Sequence, residues 1–188
     1  MTPVLRITGL TASVAIAAAI GVGTSASAGA AVAAPSAPRV AACATSQLRV
    51  WYGAPDGVAA GSSYLPLEFS NTGTGDCVLD GYPGVSAVAA DGTQLGSSAT
   101  WNPVITPSAV VLAPGDTAHI VLQVATVANY PTDVCEPTEA YGLRVYPPNQ
   151  TASVVLPFAI GACTESGPTF LSVDAVNAGV GIPFYSNN

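Results

Sequence analysis

Three residue types in this chain could do chemistry: four cysteines at positions 43, 77, 135 and 163, a single histidine at 119, and eleven acids. The stretch CVLDGYPGVSAVAADG (77–92) gathers a cysteine, Asp80, Asp91 and a Gly-Tyr-Pro-Gly run, so a site would be sought there first. A reactive thiol needs nearby cations or a helix N-terminus to depress its pKa, and Cys77 has Asp76 and Asp80 beside it instead, which favours a structural role. His119 alternates with Ala118 and Ile120, so it should point outward from a strand as a solvated residue. One histidine and four cysteines expected to be oxidised do not compose a usual zinc or copper site, and no metal or other cofactor is expected. No G-x-S-x-G elbow is present, and the absence of lysine rules out a Ser/Lys pair.

The acids occur singly and mostly in turns: Asp56-Gly57, Asp76, Asp80-Gly81, Asp91-Gly92, Asp116 and Asp133. Aspartate bonds its own backbone in tight turns, which accounts for this placement without catalysis. No D-x-D-x-D-G calcium loop appears. A wall-polymer hydrolase would need two of these loop acids to converge, and that is the enzymatic alternative. Trp101 lies in the long irregular stretch GSSATWNPVITPS (96–108), where binding residues tend to sit. It is a candidate binding surface, or else a cover for a sheet edge. Phe184 and Tyr185, in the Gly-rich end of the chain, are expected to dock on the domain.

The elements that must position these residues follow from the rest of the chain. Arg6, an apolar run from about Leu10 to Val22 and the Ala26-Ser27-Ala28 site compose a secretory signal peptide over residues 1–28. Residues 29–42 are an Ala/Pro-rich linker, 43–176 a single domain and 177–188 a C-terminal tail. No later apolar span is long enough to cross a membrane, so a secreted or extracellular protein is expected. With the leader gone, three arginines face eleven acids, a formal balance of −8, in a chain with only 8% charged residues. Such a surface repels phosphate backbones and disfavours nucleic acid as a partner.

Alternating apolar residues recur between Gly, Pro, Asn and Asp, and no helical stripe is sustained. Leu48, Val50 and Tyr52 share one face. Leu65, Leu67 and Phe69 share another, opposite Tyr64, Pro66 and Glu68. Ala118, Ile120, Leu122 and Val124 form a third; Tyr141, Leu143 and Val145 a fourth; Ala152, Val154, Leu156, Phe158 and Ile160 a fifth; Leu171 and Val173 a last. Pro66 lacks an N–H, so its strand should lie at an edge or turn the prolyl nitrogen outward. Ala113-Pro114-Gly115-Asp116 fits a type II turn, and Asp91-Gly92 signals a hairpin. The pattern predicts an all-β fold, an antiparallel immunoglobulin-like β-sandwich of about seven to eight strands with two disulfides.

Strand register selects among the three pairings that four cysteines allow. In a hairpin of 141–147 with 152–158, facing residues have numbers adding to about 299, and those of Cys135 and Cys163 add to 298. Strands 46–52 and 64–70 pair at sums near 116 to 120, and Cys43 with Cys77 gives 120. The expected bridges are therefore Cys43–Cys77 and Cys135–Cys163. Val40-Ala41-Ala42-Cys43 also has the form of a lipobox, but it stands about 20 residues beyond the apolar run with Arg39 between, and a lipidated Cys43 would leave an odd thiol.

The blocks CATSQLRVWYG, GSSYLPLEFSNTGTGDCVLDGYPGVSAVAADG, VVLAPGDTAHIVLQV, Cys135-Glu136-Pro137 and GLRVYPPNQT, with Cys163, resemble in order a domain of unknown function common in exported proteins and lipoproteins of actinobacteria. The resemblance covers about residues 43–176. It implies no activity and no catalytic residue to carry over; many members are lipidated, from which the displaced lipobox here departs. It makes Gly81-Tyr82-Pro83-Gly84 part of the fold's signature: two glycines permit a corner, Pro83 fixes it, and Tyr82 packs over it. The expected function is a non-enzymatic binding module with a partner in the cell envelope or extracellular space, a structural envelope component being a further alternative. Intact mass of the exported protein is expected to fit a chain starting at Gly29 that carries two disulfides and no lipid; a lipid adduct on Cys43 would overturn that reading.

Overall fold

The computed structural model describes residues 39–54, 57–104 and 106–181. The expected leader, residues 29–38 of the linker, Asp56, Phe184 and Tyr185 lie outside the described residues. In chain order the elements are β1 (Leu48–Tyr52), β2 (Gly57–Ala59), β3 (Ser62–Asn71), β4 (Cys77–Leu79), β5 (Gly84–Val88), β6 (Gln94–Leu95), β7 (Thr100–Trp101), β8 (Val110–Leu112), β9 (Thr117–Ala125), one helical turn α1 (Thr132–Cys135), β10 (Pro137–Tyr146), β11 (Val154–Cys163), β12 (Leu171–Val173) and β13 (Asn177–Ala178). The class is all-β, as the alternation requires. The described residues hold thirteen strands, more than the seven or eight expected, because several are two- or three-residue pieces too short to carry a periodic signal.

A seven-stranded sheet runs β1-β3-β9-β12-β7, with β2 also on β3 and β13 also on β9; a second sheet runs β11-β10-β5-β6, and β4 and β8 make a small ribbon. β12 and β7 pair in parallel, a departure from the expected antiparallel arrangement. Its cause is the route of the chain, which leaves the second sheet after β6 and enters the first at β7.

The inner faces are those the periodicity assigned. Leu65, Leu67 and Phe69 of β3, Ala118, Ile120, Leu122 and Val124 of β9, and Leu143 and Val145 of β10 are buried in one cluster with Val85, Ala87 and Phe170. Val154, Leu156, Phe158 and Ile160 of β11 are half-buried against it while their neighbours in sequence are exposed. Two residues depart from that assignment: Ala152, which precedes β11, is exposed, and Tyr141 is half-exposed instead of inward. The β10–β11 register shifts between Ala140 and Gly142, and this bulge turns Tyr141 out.

Pro66 is not on an edge strand, since β3 pairs with β9 on one side and with β1 and β2 on the other. A strand residue's nitrogen and carbonyl point to the same side. The Pro66 carbonyl accepts the Gly53 N–H at 2.9 Å, so the prolyl nitrogen faces the break between β1 and β2, where no ladder donor is required. The 113–116 turn closes with the Asp116 N–H donating to the Ala113 carbonyl at 2.9 Å, Gly115 taking φ 89°. The Asp91-Gly92 hairpin joins β5 and β6 as expected.

Both disulfides form as the register predicts, Cys43–Cys77 with Cα atoms 4.8 Å apart and Cys135–Cys163 with 4.5 Å. The local geometry at the first is different from a continued hairpin. A 3₁₀ turn at Thr45–Gln47 intervenes, and Ala42 bridges Val78 in parallel. At the second, Cys135 ends α1, Glu136 takes a left-handed φ of 45°, and Pro137 then pairs with Cys163. Closing loops of 34 and 28 residues constrains the unfolded chain by about 3.5–4 kcal/mol each. Replacing Cys135 and Cys163 together by alanine is expected to lower unfolding stability by about that amount, read by denaturant titration; a loss below about 1 kcal/mol would show that the reduced chain retains the constraint.

Candidate functional site

Trp101 is placed by a two-residue strand. Thr100 and Trp101 pair with Ser172 and Val173 of β12, and the Asn102 N–H donates to the Val173 carbonyl at 2.8 Å. Both β7 side chains are exposed, Trp101 at 67%. The indole is nevertheless held: it stacks on Tyr82 with ring centroids 5.0 Å apart and planes within 7°. Tyr82 stands in the Gly-Tyr-Pro-Gly corner, where Gly81 takes φ 98° and its carbonyl accepts the Val176 N–H at 3.0 Å. Pro83 is buried, while Gly84 opens β5 without a positive φ, so the corner needs one permissive glycine and not two. Tyr82 therefore backs a partner nineteen residues away.

A separate apolar cleft of about 460 Å³ opens between the sheets, lined by Val58, Leu65, Val124, Val127, Phe158 and Ile160 among others. Tyr52 crosses the two layers beside it, its ring 4.6 Å from Phe158 and its hydroxyl donating to the Leu156 carbonyl at 3.2 Å. Burial pushes the Tyr52 hydroxyl well above its ordinary pKa.

Among the described residues, two of the loop acids serve their own turns. Asp91 accepts the Thr93 N–H at 2.8 Å, and this bond holds its carboxyl below the usual range. Asp116 accepts the Ala113 N–H within its own turn. Asp133 lies in α1, where it and Glu136 line a shallow depression with Thr132, Thr138 and Thr164. Among the described residues no group of three or more His, Cys, Asp or Glu side chains could hold a metal ion.

Two buried acids among the described residues, Glu68 and Asp174, are not in the loops that the sequence singled out. Glu68 is fully buried although it faces away from the core, because the chain after β13 crosses over it. Its Oε1 accepts the Gly181 N–H at 2.9 Å, and its Oε2 has no hydrogen-bond partner among the described residues. The approach is close: a Cβ on Gly53 would stand 2.6 Å from Oε1, and one on Gly181 2.7 Å from the Pro66 Cβ. Opposite Glu68 in the ladder is His119. It is half-buried, not solvated, because Asn177 of β13 pairs with it and its Nδ1 donates to the Gly179 carbonyl at 2.9 Å. Desolvation raises the Glu68 pKa, against the lowering effects of the Gly181 N–H and the His119 imidazole. In the alternation of β3 Glu68 reads as an outward, solvated residue, so no local signal marks its burial.

Residues 43–179 match the family described as "Domain of unknown function (DUF4232)". The chain belongs to this family. No curated protein matches it. The DUF4232 domain so bounded takes in all thirteen strands and both disulfides, and reaches past the expected end at 176 to include β13 and its contact with His119. Among the described residues no helix of this DUF4232 chain is long and apolar enough to cross a membrane, and its two disulfides suit an oxidising environment.

Because the folded state retains the Glu68 proton at pH values where the unfolded chain has lost it, this group costs stability as pH rises above its ordinary value of 4.5 through the raised folded value. Glu68→Gln keeps the acceptor for Gly181 and removes the ionisation. In a His119→Asn background, which removes the facing imidazole, the Gln variant is expected to gain stability relative to Glu as pH is raised from 4 to 8 in denaturant titrations. A difference constant across that range would show that the carboxyl is not desolvated.

Proposed function

We propose that this DUF4232 domain is a non-enzymatic exported module that binds a partner in the cell envelope or extracellular space through the surface around Trp101. The carrying observation is that Trp101 is largely exposed yet fixed by Tyr82 and by β12. An exposed aromatic costs solubility unless it is used, and holding it rigid reduces the entropy lost when a partner covers it. Export is supported by the Arg6, apolar and Ala-Ser-Ala features of residues 1–28 and by two disulfides. The proposed organisation is leader 1–28, linker 29–42 and domain from Cys43, with Cys43 bonded to Cys77 and not available for a lipid. The Ala-rich, lysine-free composition suits the GC-rich genomes of actinobacteria.

The hydrolase alternative gains no support from Asp91 and Asp116, each of which accepts an N–H of its own turn, and Asp133 with Glu136 lines only a shallow depression. Capture from envelope extracts on the immobilised, oxidised domain is expected to retain a partner that Trp101→Ala loses or holds several-fold more weakly, as an exposed aromatic anchor should. Equal retention by both proteins would remove Trp101 from the proposal.

A further inference from the structure

The chemistry around the stacked pair narrows the class of ligand, on the footing that the Trp101 surface is a binding surface. A sugar that stacks on an aromatic ring also needs amides or hydroxyls at the rim to meet its own hydroxyls. Here three neutral polar side chains each spend at least one group on backbone. Asn102 Oδ1 accepts the Val104 N–H at 3.3 Å, the Thr100 hydroxyl is directed to the Leu171 carbonyl at 3.5 Å, and Asn149 Nδ2 donates to the Asp80 carbonyl at 2.9 Å.

What the surface does offer is negative potential and an open π-face. Asp80, two residues before Tyr82, is exposed. The three arginines of the described residues lie elsewhere, Arg39 before the first disulfide, Arg49 on β1, and Arg144 on β10 donating to the Gly92 carbonyl. With the leader gone the chain carries a formal charge of −8 and no lysine, a field that draws cations. Tryptophan is the best of the aromatic rings for a cation over its face. Tyr82 covers one side of the indole, so a guanidinium or ammonium meets a ring already fixed in place. We infer that the Trp101–Tyr82 face takes the arginine or lysine side chains of a basic protein segment, with Asp80 as the accompanying anion.

Octa-arginine, octa-glutamate and chitohexaose serve as probes, titrated calorimetrically against the oxidised mature domain at about 50 mM salt, where surface charges are weakly screened. The expected result is binding of octa-arginine alone, weakened about two- to fivefold by Trp101→Ala and largely kept by Trp101→Phe, as loss and retention of an exposed cation–π contact require. Asp80→Asn should weaken it further and flatten its salt dependence. The Ala variant carries the same charge as the parent, so equal affinity of the two would mean diffuse attraction and overturn the inference. Binding of chitohexaose through Trp101 would overturn it in favour of a neutral glycan. If envelope capture depends on Trp101 but octa-arginine binding does not, the binding reading stands and the cationic class falls. If capture is also indifferent to Trp101, both fall.

Discussion

Nine residue pairs join β3 to β9, from Ser62 with Ala125 to Ser70 with Thr117, and this ladder is the constraint on which the other elements depend. From Leu65 with Leu122 to Phe69 with Ala118 its inner face is apolar and sets one wall of the core. β1 and β2 lie along one flank, while β12 and β13 lie along the other. A one-residue shift of β3 against β9 would turn Leu67 and Phe69 to the outside and bring Glu68 into the core, so the register is strongly specified. The outer face solves a different problem. Trp51 Nε1 donates to the Ser70 hydroxyl at 3.0 Å, and Ser70 and Thr117 share a further bond of 2.7 Å, so polar side chains along β1, β3 and β9 satisfy one another.

The cover over Glu68 follows from the same ladder. With Glu68 and His119 directly opposite each other, the outward side of the two central strands holds an acid and an imidazole between the Pro66–Val121 and Ser70–Thr117 pairs. The stretch through Gly179 and Gly181 supplies one backbone acceptor to the histidine and one backbone donor to the acid. It lies so close that the site tolerates no Cβ at Gly181 without displacing Pro66. Burying a carboxyl with an orphaned oxygen is unfavourable on its own. The compensation comes from the β13 pairing and from the apolar area sealed beneath it.

Much of this architecture is legible in the residues. The two-residue period assigns the inward faces of β1, β3, β9, β11 and β12, and its register arithmetic yields both disulfides, since the observed sums are 119 for β1 with β3 and 299 for β10 with β11 up to the bulge. What escapes it is non-local. Tyr141 leaves the core because of a bulge, which no alternation encodes. Pro66 sits centrally because its missing donor falls opposite a break in the neighbouring strand. β7 and β13, at two residues each, are strands only by virtue of β12 and β9. At the candidate site, Trp101 could be singled out by its setting in a long connection, but its stacking on Tyr82 depends on a corner brought alongside by the sheet. The burial of Glu68 depends on a segment 113 residues later.

The Cys43–Cys77 bridge stands at the N-terminal boundary of the family domain, and β1, β2 and β3 all lie inside the loop it closes. Tension applied from that side is handed at Cys43 across the covalent bond to Cys77 and into β4, bypassing those three strands. A domain tethered at that end cannot be unzipped from its first strand, and the load falls on the β4–β8 ribbon instead. At the other end, among the described residues, β13 is held by two residue pairs and the Gly179 and Gly181 contacts, so a pull there peels away the cover from Glu68 before it reaches the core. The domain is thus mechanically polar, armoured where the chain enters it and compliant where β13 closes it.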